Sequence, residues 1–134
     1  MYFSVDIKLT HTAVMVMLQA AIAQAEKDTQ PQCIVIVDAS GEILAQIRMT
    51  GAKFLSMKSA RAKALTAASI GAQSAVIPEA VGSAIAAATS GDVTPLGGAL
   101  PIFHQGHLVG GIADGHSKWQ WCGSKCGILE LTPI

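Results

Sequence analysis

The reactive side chains of this sequence are few, and the four histidines and three cysteines come first among them. His11 lies on a helical stripe with Val14, Met15, Leu18, Ile22 and Ala25. From the wall of a pocket an imidazole there could ligate haem iron. It could equally be a half-exposed helix-start histidine making an ordinary hydrogen bond. His104 and His107 stand on either side of Gln105-Gly106, where cross-strand neighbours can hold a metal but a solvated turn is the commoner setting. His116, Cys122 and Cys126 have a loose zinc-like spacing without the two-residue gap of a tight thiolate pair, and no CxxCH is present. No metal site is assigned to either group.

The stretch Thr94-Pro95-Leu96-Gly97-Gly98 is the best binding candidate. Paired glycines let backbone amides approach a ligand and form a concavity suited to a carboxylate or a haem propionate. The competing reading is a turn that only launches a strand. The spacing is neither a phosphate-binding loop nor a dinucleotide fingerprint. Lys63 and Thr66, one turn apart, share a helical face with Ser59. Lys63 could neutralise an anionic ligand or be a solvated helix cation, and Arg48 at a strand end offers the same choice. Asp38 is suited to bracing its own turn. Met15, Met17, Met49 and Met57 read as core or interface fillers rather than iron ligands. There is no nucleophile elbow, no HExxH and no carboxylate pair spaced for acid–base work, so no catalytic residue is assigned. The candidate ligand-binding set is therefore His11, Lys63, Thr94, Gly97 and Gly98.

These residues must be positioned by one modest core. The chain has 134 residues, which suits a single domain, and no shift in composition divides it. Hydrophobic residues make up 51% and charged residues 13%, about half the usual charged share. So few charges cannot cover a small domain's surface, and exposed apolar patches point to a homo-oligomer. A net charge of zero and the lack of a Lys/Arg run argue against nucleic acid and anionic membrane as partners. No apolar run reaches the length of a membrane span. No signal peptide is evident, and an odd number of cysteines does not suggest a disulfide framework. A cytoplasmic location is expected.

Residues 9 to 28 read as a helix, with Thr10 as its cap and Thr29-Gln30-Pro31 as its end. Ala13, Val16, Met17 and Ala20 make its opposite side apolar too. The β-branched run Cys33–Val37 and the alternating Ile43–Met49 flank turn chemistry at Asp38–Glu42, which predicts a hairpin. A second helix opens at Ser56 and stops at Gly71. A short Ala-rich helix runs from Pro78-Glu79 to about Ser90-Gly91. A second hairpin joins Leu100–His104 to His107–Ile112 through Gln105-Gly106. That order predicts an α+β fold with helices packed on an antiparallel sheet.

Three collinear stretches carry a resemblance. Val35-Ile36-Val37-Asp38-Ala39-Ser40-Gly41 with Arg48-Met49-Thr50-Gly51-Ala52 resembles the "VVDAGG…RMDGA" signature of the GlcG/HbpS-like family. Ser56, Ala60, Lys63, Ala64, Thr66 and Ala67 are similar to its "S…A..KA.TA" helix. Pro95–Ile102, Gly106 and Val109–Ile112 resemble its "PGG.PI…G..VGAIG" stretch. Together they extend from about Leu9 to Ile112. The resemblance implies a profilin-like fold and an oligomer. It also implies a small-molecule binding module, with haem bound in some relatives, including the C-terminal domain of PduO-type proteins. Other relatives are encoded with glycolate, diol or glycerol metabolism, which implies an accessory protein or enzyme as the alternative. A non-catalytic assembly protein is the third reading, suggested by the low charge and the all-round apolar first helix.

The tail departs from the family. Where relatives continue with "GVSGG…QD…A.AG", this chain reads Ala113-Asp114-Gly115-His116 and onward without a helical pattern. One reading is a frameshift from about Asp114, with Gly127–Leu131 left by cloning, and resequencing the gene would decide it. No function is rested on the tail.

Overall fold

A computed structural model describes residues 1–115. Helix α1 spans His11–Lys27, and the Thr10 hydroxyl caps it by accepting from the Ala13 amide at 3.2 Å. Strands β1 (Cys33–Asp38) and β2 (Ile43–Arg48) form the first hairpin. Its turn is held by Asp38 Oδ1, which accepts from the amides of Ser40 at 2.9 Å and Glu42 at 3.0 Å. Helix α2 (Leu55–Ile70) ends on Gly71 in the left-handed region, whose amide donates to the Ala67 carbonyl. A short 3-10 turn at Ser74–Val76 leads to helix α3 (Glu79–Ala88). Strands β3 (Ala99–His104) and β4 (His107–Asp114) close the described chain. Gln105 and Gly106 both take positive φ between them, as a tight two-residue hairpin turn requires.

The four strands form one sheet in the order β2-β1-β4-β3, with every neighbouring pair antiparallel. Both faces of this sheet are covered. Ile34 and Ile36 point to the α1 side, among Val14, Met17, Leu18, Ala21 and Ile112. Cys33, Val35 and Val37 alternate to the other side, among Ala60, Ala64, Ala67 and Ala68 of α2. A strand buried on both faces reads as an unbroken apolar run, which is what β1 is. The expected α+β class, an antiparallel sheet packed with helices, is the observed one.

Close packing of α2 on the sheet depends on small residues. A Cβ on Gly111 would run into the Ala64 carbonyl and the Ala68 amide of α2. Helix α1 differs from the expected stripe. Its buried residues are Val14, Met17, Leu18, Ala21 and Ala25, while His11, Met15 and Val16 are exposed. A helix apolar nearly all round has no pattern that fixes its rotation, so the sheet surface chose the stripe. Among the described residues no helix is long and apolar enough to cross a membrane.

Candidate ligand-binding site

The Ala-rich face of α2 turns toward the sheet and carries Lys63 and Thr66 inward with it. Lys63 is 1% exposed, so it is not a solvated helix cation. Its Nζ donates to the carbonyl oxygen of Asp114 at 3.3 Å. Burial pushes the ammonium pKa down, and the Asp114 charge works against that shift.

One turn on, Thr66 is fully buried and acts twice. Its hydroxyl donates to the Ala62 carbonyl at 2.7 Å and accepts from the Thr94 amide at 2.9 Å. The Thr94 hydroxyl in turn accepts from the Leu96 amide at 3.2 Å, and buried Ser74 donates to the Leu96 carbonyl. Gly98 sits at φ 113°, and its carbonyl accepts from the Asp114 amide at 3.1 Å. Helix, glycine loop and the end of β4 thus converge. An Arg61–Asp92 ion pair at 2.8 Å adds a surface tie, with both partners about half exposed, and such a pair is worth at most about 1 kcal/mol.

Four of the five candidate residues therefore belong to one neighbourhood: Lys63, Thr94, Gly97 and Gly98. His11 does not join them. It is exposed at the start of α1, which packs on the Ile34/Ile36 face, whereas Thr94 is anchored to α2 on the opposite face. Among the described residues α1 and the glycine loop lie on opposite faces of the sheet and do not share a pocket. Met15 lies one turn from His11 and is 47% exposed, so a thioether and an imidazole share the outer face of α1.

Elsewhere, Val5–Lys8, Asp38–Ser40 and His107–Val109 line a cleft of about 400 Å³. Burial alone would raise the Asp38 pKa, but hydrogen bonds from Ser40 and Glu42 and the nearby Lys8 charge outweigh it and hold the carboxyl low. The Cys33 thiol is buried and donates to the Lys53 carbonyl at 3.5 Å; burial pushes its pKa up, partly offset by Arg48. His104 and His107 pair across the second turn. No group of three or more His, Cys, Asp or Glu able to hold a metal comes together among the described residues. His116, Cys122 and Cys126 lie outside the described residues, as does the altered-tail reading from residue 116 on.

Asp114 and Ser74 were not foreseen from the sequence. Nothing local marks a buried aspartate at the end of an apolar strand, and Ser74 lies in a short connection with no periodicity.

This fold has known counterparts. Residues 9–115 match the family model described as "Haem degrading protein HbpS-like", and the chain belongs to that family. Three solved structures are similar to it. Klebsiella pneumoniae protein ORFY shares 22% identity and a TM-score of 0.85, over 97% of this chain and 94% of that one. A double mutant of HbpS from Streptomyces reticuli shares 27% identity and a TM-score of 0.83, over 98% and 92% of the two chains. A complex of PduOC with haem shares 22% identity and a TM-score of 0.74, over 92% and 91%. No curated protein matches.

Proposed function

We propose that this chain is a small-molecule binding module that holds haem, in a self-associated, cytoplasmic form. The family description and the PduOC–haem relative favour that ligand over other small anions. The observation on this chain that carries the reading is the outer face of α1. There an exposed imidazole at His11 stands one turn from exposed Met15, with Ile7 uncovered just before the helix. An apolar macrocycle needs apolar cover and its iron needs a donor, and these residues support that reading. Bound there, haem would supply an iron centre able to take ligands and electrons. The chain's own part is to donate the imidazole and to cover the ring's apolar faces.

The glycine loop is the second half of this reading. Thr66 fixes Thr94, and Gly98 gives the loop a shape that other residues adopt at a cost. We assign Thr94, Gly97 and Gly98 to an anionic group of the ligand, with Lys63 supplying positive charge beneath the loop. Because His11 lies across the sheet, one ligand meeting both would be shared between copies. The exposed apolar residues and low charge support self-association. The buried free thiol of Cys33 suits a reducing compartment. The test is a Soret titration of the protein and its His11→Ala variant with hemin.

A further inference from the structure

Among the described residues the sheet has two edges, β2 and β3. An edge strand exposes a row of backbone donors and acceptors that can template another chain. On β3, Pro101 removes one donor and guards that edge. On β2 no proline interrupts Ile43-Leu44-Ala45-Gln46-Ile47-Arg48, and Ile43 and Leu44 are both exposed. Six residues of strand therefore present an open, partly apolar edge.

The same chain carries an uncovered segment suited to that edge. Met1–Val5 lies in neither helix nor strand, and its aromatic and β-branched residues favour extended pairing. Tyr2 is 97% exposed, Phe3 88% and Val5 98%. No side chain from Met1 to Val5 is charged, which matches the uncharged run Ile43–Ile47. Within its own chain the segment is led elsewhere. Val5–Lys8 runs beside Asp38–Ser40 and His107–Val109, across the turn end of the sheet rather than along β2.

We infer that Met1–Val5 of one copy adds as a strand to the β2 edge of a second copy, reciprocally. The area is sufficient. Tyr and Phe side chains each bury about 150–250 Å², so Tyr2 and Phe3 from two copies cover ~600–1,000 Å² on the arm side alone. With a comparable area on the receiving edges, the contact passes the ~1,200 Å² at which specific interfaces begin. This inference rests on the self-association proposed above and gives it a surface.

The experiment combines light scattering with hydrogen exchange at the β2 amides. It compares the full chain, a variant carrying Tyr2→Lys and Phe3→Lys together, and an independent Leu44→Lys variant. The full chain assembles above its 13.8 kDa monomer mass. In both variants the mass falls at least twofold, and the β2 amides exchange at least tenfold faster while β1 and β4 amides do not change. All three substituted positions are exposed, so the fold survives them. A monomeric full chain would overturn self-association itself. An assembled full chain whose mass and β2 protection survive both variants would overturn the arm docking and leave self-association standing.

Discussion

The Lys63 ammonium reaches across 3.3 Å to the carbonyl oxygen of Asp114, tying the middle of α2 to the last residue of β4. Asp114 also donates its amide to the Gly98 carbonyl, so one residue links the buried cation to the glycine loop. A buried charge is costly to desolvate, and its retention is not evidence of stability. What the contact does is hold the loop's far end against the helix that holds its near end through Thr66.

That cost predicts a pH dependence. Desolvation favours the neutral amine, so folded Lys63 binds its proton less tightly than the unfolded chain, whose value is near the ordinary 10.5. Between those two values the unfolded state holds more protons, and stability rises with pH. Replacing Lys63 by Met removes that rise. At pH 7 the variant leaves the fully buried Asp114 without the cation beside it and is about 3–5 kcal/mol less stable than the parent, and the deficit grows toward alkaline pH. Urea unfolding at neutral and alkaline pH measures both; a variant as stable as the parent at each pH contradicts the account.

Thr66→Val keeps the shape and removes the acceptor of the Thr94 amide. The loss is about 1 kcal/mol, because a part-buried donor loses its acceptor. Thr66→Ser restores most of it. Faster hydrogen exchange at the Thr94 amide in the Val variant alone marks the loop as the part released.

Gly111→Ala sets a Cβ against the Ala64 carbonyl of α2, and backbone cannot step aside as a side chain can. The cost is above ~2 kcal/mol. Gly106→Ala meets nothing within 4 Å and pays only for its φ of 78°, about 1–2 kcal/mol. Thermal denaturation of the pair separates crowding from backbone conformation; equal losses would refute the close approach of α2 to β4.

For Asp38 the sign is reversed. Its folded carboxyl is held below the ordinary 3.8, so its contribution is present above about pH 4 and is lost as pH falls through the folded value. Asp38→Asn keeps an acceptor for the Ser40 and Glu42 amides but not the charge, and costs roughly 0.5–1.5 kcal/mol at pH 7. Acid titration of stability then shows a shallower fall for the variant. An unchanged acid limb would remove Asp38 from the account.

Local chemistry made much of the fold legible. Thr10 announced the first helix, Asp38–Gly41 and Gln105-Gly106 announced the two hairpins, and Gly71 marked the end of α2. Long-range choices were not legible. The rotation of α1 is set by the sheet beneath it, so Met15 and Met17 exchanged their expected places. Lys63 looked like a surface cation because an Ala-rich helix gives little contrast between its faces. The separation of His11 from the glycine loop depends on α1 and α2 covering opposite sheet faces, which element order alone does not state.

The central claim is tested most directly by adding hemin to the purified protein and recording the Soret band beside His11→Ala. The account predicts a sharp, saturable band for the parent, and a band that is lost or displaced, with weaker binding, in the variant. Only weak, non-saturable absorbance in both proteins would contradict haem binding, and a saturable band identical in both would contradict His11 as the iron's ligand.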